Sequence, residues 1–165
     1  MKEGFTFLVE IPNYFITDGR PVNTGSYNII AGFWGYQTQC LNQFIDGNAG
    51  QLTITLDDGY MDDFSLDFGW TSTGSAPTGL WERGDPIGTF LQSSLANPDE
   101  DIQGDCSDKA YITGNYGGSP GTDDVDDGYV TLTSPVFDLS NYTDPYISYY
   151  RWFVNLGGWG GGTPN

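Results

Sequence analysis

Few stretches of this chain space their apolar residues at the 3.6-residue period of an amphipathic helix. Gly, Pro, Asn and Asp interrupt it every eight to twelve residues, which is the rhythm of a β-sandwich or barrel. The fold class read from this pattern is all-β, with strands predicted over residues 4–9, 26–31, 51–56, 63–70, 129–134 and 145–154. In Gln51-Leu-Thr-Ile-Thr-Leu56 the apolar residues Leu52, Ile54 and Leu56 alternate strictly with polar ones, so one face is buried and the other wet. Tyr146-Ile-Ser-Tyr-Tyr-Arg-Trp-Phe-Val154 is bulky on both faces instead. That pattern predicts an interior strand covered on two sides, in which Arg151 needs an acidic partner or a route to water.

A charged run, Asp57-Asp-Gly-Tyr-Met-Asp-Asp63, separates two strand signals and marks a domain boundary, giving segments 1–58 and 62–165. The first is too short for a sandwich of the ordinary seven strands. The second runs from its strongest strand straight into the Gly-rich tail Gly157-Gly-Trp-Gly-Gly-Gly-Thr-Pro-Asn165, a loop or linker by composition, so both ends look cut. No internal repeat of 20–50 residues is visible.

Composition narrows the chemistry. The 165 residues include no histidine, which removes Ser-His-Asp and Cys-His catalysis, the two-His carboxylate iron site and His-ligated zinc. With 5 Lys+Arg against 22 Asp+Glu the formal charge is −17. The cations Lys2, Arg20, Arg83, Lys109 and Arg151 are scattered, so neither nucleic acid nor an anionic membrane surface is an expected partner. The chain is still no disordered acidic tail, because 16% of it is aromatic and can build a core. No apolar run approaches the 18 residues of a spanning helix, and residues 1–12 lack the pattern of a signal peptide. Either the protein stays inside the cell or the chain is an internal piece of a longer exported one. The two cysteines, Cys40 and Cys106, allow one disulfide at most or two free thiols.

Two segments resemble known families. Tyr27-Asn-Ile-Ile-Ala-Gly-Phe-Trp-Gly-Tyr-Gln-Thr38 is similar to the last strands of a carboxypeptidase regulatory-like domain, and Asp18-Gly-Arg20 fits the preceding hairpin turn loosely. Farther on an ordered series appears: Asp62-Asp-Phe, Trp70, Gly79-Leu-Trp-Glu-Arg-Gly-Asp-Pro-Ile-Gly88, Ala96-Asn-Pro98 and Thr113-Gly-Asn115. It continues with Gly121-Thr-Asp-Asp-Val-Asp-Asp-Gly128 and Leu132-Thr-Ser-Pro-Val-Phe-Asp-Leu-Ser140. The series resembles the MAM-like jelly-roll modules of large secreted bacterial proteins, notably those that follow the catalytic domain of zinc carboxypeptidases. The resemblance implies a non-catalytic, secreted or cell-surface β-sandwich that displays, stabilises or targets a parent enzyme or adhesin. It further implies that the other domains of the parent chain are partners and that the jelly roll is incomplete at Asn165. The parent's zinc site is not among these residues.

The densest chemical feature is acidic. Asp99, Glu100, Asp101, Asp105, Asp108, Asp123, Asp124, Asp126 and Asp127 share a stretch holding one cation, Lys109. Such crowding calls for solvation or for Ca²⁺, which takes six to eight oxygen ligands from carboxylates, loop carbonyls and water. The run Asp123-Asp-Val-Asp-Asp-Gly128 lacks the spacing and terminal Glu of an EF-hand loop, so the expected site joins Asp62 or Asp63 to Asn97, Asp99 and Asp123, Asp124, Asp126 and Asp127. Against it stands the plain reading of a solvated acidic loop.

Other motifs are weaker. A glycosidase pair would start from Glu82, but among 22 acids some pair always looks suitable. Trp34, Tyr36 and Trp159 are the aromatics to examine for stacking on a glycan, the alternative being that most rings belong to the core or cap the sandwich. Arg83-Gly-Asp85 and the sequon Asn141-Tyr-Thr143 are short enough to arise by chance, and Gly114-Asn-Tyr-Gly-Gly-Ser119 lacks the Lys of a phosphate loop. If the jelly roll stops short, residues 146–154 form an open edge that predicts an edge-strand homodimer.

Overall fold

The computed structural model describes residues 5–10, 24–46, 51–121 and 124–154. Among these the chain is all-β, with ten strands joined in antiparallel pairs and no helix. It divides into two compact units, Met1–Asp62 and Asp63–Asn165, the boundary falling within the acidic run of the sequence.

The first unit contains β1 (Phe5–Glu10), β2 (Gly25–Ala31), β3 (Gln39–Ile45) and β4 (Gln51–Leu56). β1 pairs with β4 from Phe5 opposite Leu56 to Glu10 opposite Gln51, and β2 pairs with β3 from Gly25 opposite Ile45 to Ala31 opposite Gln39. Along β4 the predicted alternation is realised: Leu52, Ile54 and Leu56 turn inward while Thr53 and Thr55 face water. Tyr27 and Ile29 of β2 and Leu52 of β4 pack around Ile45, so side chains from both ribbons share one core. Leu56 is the one large side chain among the described residues with no exposed surface. After β2 the chain turns at Phe33–Tyr36, where the Tyr36 amide donates to the Phe33 carbonyl, and bridges to the segment after β4 at Tyr36–Asp58 and Gln37–Met61.

The second unit is made of short strands: β5 (Thr71–Gly74), β6 (Trp81–Gly84), β7 (Thr89–Leu91), β8 (Ser94–Asn97), β9 (Ala110–Thr113) and β10 (Val130–Thr133). They pair as β5–β10, β6–β9 and the hairpin β7–β8, which carries an irregularity between Thr89 and Phe90. Its packing combines small buried residues, Ala76 and Ala96, with an aromatic cluster in which Phe64 meets Trp70 at 5.5 Å and Tyr111 at 5.1 Å, both edge to face. Close backbone approach replaces bulk elsewhere. Gly79 has φ +69°, and a Cβ there would lie 2.8 Å from the Asp124 carbonyl, so the loop 124–128 seats on a glycine that no other residue could replace without a shift.

Two predicted strands are corrected. Residues 63–70 are irregular, because Asp63 accepts the Ser65 amide at 3.0 Å and Phe64 takes a left-handed backbone (φ 58°), both incompatible with a pleated run. Residues 145–154 are irregular and have no strand partner among the described residues, and all but the half-buried Val154 are exposed instead of interior. Arg151 therefore faces water and needs no buried acid. Trp152, on this segment, is 64% exposed.

Candidate site: an acidic concavity on the second unit

Asp63 opens the second unit and is buried. One carboxylate oxygen accepts the Ser65 amide at 3.0 Å and the other accepts the Cys106 amide at 2.9 Å. Ser107 and Ser65 add a hydroxyl pair at 2.9 Å. This small set of bonds ties the loop between β8 and β9 back to the turn at Asp63. The bulky Phe64, in a backbone region that costs of order 1–3 kcal/mol, is held there by Arg83, whose Nη1 donates to the Phe64 carbonyl at 2.8 Å, and by the ring contacts with Trp70 and Tyr111.

The tethered loop forms one wall of an open concavity of about 280 Å³, whose acids are Asp85, Asp99, Glu100, Asp101, Asp105 and Asp108. Asp85 is neutralised by Lys109 at 2.9 Å, and Asn115 shapes that wall by accepting the Ile87 amide and donating to the Asp85 carbonyl. The remaining carboxylates crowd one another. Burial raises the Asp101 carboxyl above its ordinary range despite the Ile102 amide, with Asp108 and Asp63 adding to the shift. Burial also raises Asp105, with Asp101 and Asp63 behind it. One Asp101 oxygen, Oδ2, is buried with no hydrogen-bond partner. Among the described residues no three Cys, Asp or Glu side chains stand close enough to hold an ion between them as placed.

The raised carboxyls fix a sign for pH. A proton binds Asp101 and Asp105 more tightly in the folded chain than at the ordinary aspartate value of 3.8, so stability from these two groups is complete below that value and lost as pH rises through their folded values. Asp101→Asn is therefore expected to stabilise the ion-free protein at pH 7 and to flatten the rise in stability as pH falls toward 3.8. Denaturant unfolding across that range would show it, and a wild-type stability that Asp101→Asn changes equally at every pH would refute it.

Of the residues expected to bind a metal, Asp99 lines the concavity, Asp62 is half-buried, and Asp63 adjoins the site electrostatically but spends both oxygens on backbone amides. Asn97 donates its amide to Thr89 Oγ1 at 2.6 Å inside the β7–β8 hairpin. Asp124, Asp126 and Asp127 are exposed on the loop over Gly79, where the Asp124 carbonyl accepts Thr78 Oγ1, and they are not part of the concavity's lining. Asp123 lies outside the described residues, as do Trp159 and the turn at 18–20. Asp101, Asp105 and Asp108, outside that expected set, line the concavity beside Asp99. Their sequence signal is the clustering of acids on both sides of Cys106.

The glycan candidates Trp34 and Tyr36 are half-buried at the first unit's turn, where Trp34 stands edge to face with Tyr60 at 5.2 Å. Glu82 is exposed on β6 opposite Ile112. Arg83 and Asp85 are each engaged, with the Phe64 carbonyl and with Lys109, so the tripeptide is not an open loop presented to a partner. Neither Cys40 nor Cys106 is a free thiol; both are disulfide-bonded. No helix among the described residues is long and apolar enough to cross a membrane. No family model, curated protein or solved structure gives a significant match to the chain.

Proposed function

We propose that this chain is a non-catalytic accessory or adhesion module of a large secreted or cell-surface bacterial protein, and that Ca²⁺ stabilises its second unit. In this reading the second unit is a MAM-like jelly-roll sandwich, and the first belongs to a carboxypeptidase regulatory-like sandwich. The antiparallel all-β architecture supports the sandwich, and the disulfide-bonded cysteines support an oxidising compartment outside the cytosol.

The observation that carries the reading is the concavity of Asp99, Asp101, Asp105 and Asp108 with the orphaned Asp101 oxygen. A buried carboxylate oxygen without a donor is costly, and like charges around it make the cost larger. A hard divalent cation offsets both at once. The donors are all oxygen, which suits Ca²⁺ and not a thiolate- or imidazole-preferring metal, and Gly104 and Gln103 leave loop carbonyls and water to complete the shell. Mg²⁺ demands a tighter octahedron at shorter distances, to which a wide, open loop is poorly suited.

Thermal unfolding with EDTA, with Ca²⁺ and with Mg²⁺ tests this. Ca²⁺ at a hundredfold over its Kd adds about 2.7 kcal/mol to the folded state, expected as a rise in Tm of roughly 5–10 °C that Mg²⁺ does not reproduce. In Asp101→Asn the rise should disappear while the fold persists. Equal melting in EDTA and Ca²⁺ would sink the calcium reading and leave the concavity as solvated surface.

A further inference from the structure

Residues 145–154 present an unusual surface. After Asp144, whose backbone is left-handed (φ 52°), ten residues run without regular structure, a strand partner or any backbone–backbone hydrogen bond among the described residues. Among the described residues one hydrogen bond anchors them: Trp152 Nε1 donates to the Ala96 carbonyl on β8 at 3.0 Å. The side chains are those of a sheet, yet Tyr146 is 87%, Tyr149 73%, Tyr150 85% and Phe153 58% exposed. A row of open N–H and C=O groups flanked by aromatic rings is a template for another strand.

We infer that this segment pairs antiparallel with the same segment of a second copy, about a two-fold axis at Tyr150. Two observations select that occupant. The first is self-complementarity. The two-fold register sets Tyr150 opposite itself, Tyr149 opposite Arg151, Ser148 opposite Trp152, Ile147 opposite Phe153 and Tyr146 opposite Val154. It uses all nine residues and gives each Arg151 a tyrosine ring for a cation–π contact instead of a second arginine. The second is charge. Arg151 is the one charged side chain between Asp144 and Val154, whereas the molecule as a whole carries −17, so two copies meet through this segment without bringing acids together in the ladder.

The test uses the full chain. Light scattering and sedimentation should give twice 18.1 kDa at high concentration, with dissociation on dilution and a dimer fraction that rises with salt as the net repulsion is screened. Ser148→Pro, which removes a ladder donor, and Ile147→Asp should each return the mass to 18.1 kDa. Their circular dichroism and Tm at monomer concentration should be unchanged, because among the described residues the hydrogen bond that ties the segment to the rest is the one from Trp152. Register is read by cysteine. Both native cysteines are already disulfide-bonded, so in Tyr150→Cys the new thiol is the reactive one and should form an intermolecular disulfide on mild oxidation. In Tyr146→Cys, whose opposite is Val154, it should not. A monomer at every concentration overturns the inference and leaves the strand for a segment of a different chain. A dimer that survives both substitutions, or cross-links as readily at 146 as at 150, overturns it as well.

Discussion

Asp63→Ala should lower the melting temperature of the second unit by roughly 6–12 °C, the shift that about 3 kcal/mol produces in a protein of this size. The carboxylate is buried and accepts two backbone amides, one two residues ahead and one at Cys106, 43 residues away. A hydrogen bond to a charged group contributes about 1.5–3 kcal/mol, and deleting the acceptor leaves the Cys106 amide without its partner. Part of that loss is offset, because Asp63 is also one of the charges that raise Asp101 and Asp105. Asp63→Asn separates the two effects: it removes the charge while retaining an acceptor, so its melting temperature should fall by less than that of the alanine variant. The alanine variant should further lose its response to Ca²⁺, since the loop bearing Asp101, Asp105 and Asp108 is tied at Cys106. Calorimetric melting of the three proteins in EDTA and in Ca²⁺ decides the matter. Equal Tm for wild type and Asp63→Ala would mean that the two amides find water without cost.

Local pattern carried much of the fold. Residues 51–56 are legible because Leu52, Ile54 and Leu56 alternate without exception, and 26–31 and 129–134 because Tyr27, Ile29, Val130 and Leu132 do the same work beside turn residues. β3 is harder to read, since Phe44 points outward while Gln43 turns in, which breaks the apolar alternation. Strands of three or four residues, such as β5 with Thr71-Ser-Thr-Gly74, fall below any periodicity. The misread stretches fail for non-local reasons. At 63–70 the aromatics alternate like a strand, but Asp63 is claimed by an amide from residue 106, and Phe64, Trp70 and Tyr111 form a cluster that no strand could present. At 145–154 bulk on both faces records what the side chains would prefer to bury, not whether anything covers them.

The same contrast governs the site. The densest acidic run in sequence, 123–127, reads most like a ligand set, yet the described part of it is a solvated loop packed on Gly79. The acids that crowd one another stand farther apart along the chain, at Asp85, Asp99, Asp101, Asp105 and Asp108, and share a wall because of the Asp63–Cys106 and Asn115–Asp85 bonds. Charge density along a sequence measures how many carboxylates are near in number. Repulsion and orphaned oxygens depend on which ones the loops bring together, and that is set by three or four hydrogen bonds.

Leu56→Ala tests the independence of the two units and should be the most damaging change in the first. Leu56 has no exposed surface and stands at the end of β4 opposite Phe5. Truncating a buried leucine costs about 2–5 kcal/mol, made up of lost transfer energy and the cavity left behind. The first unit has few other large buried residues among those described, Ile45 and Ile54, so this is a large part of what a core of that size supplies. The expected record is a lowered or separate transition for the first unit in calorimetry. The Ca²⁺-dependent transition should persist, because Asp99, Asp101, Asp105 and Asp108 all belong to the second unit. Leu56→Met, nearly equal in volume, should cost less than about 1.5 kcal/mol and serves as the control. If Leu56→Ala instead abolished the Ca²⁺ response together with the first transition, the two units would fold as one cooperative body, and the site would depend on both.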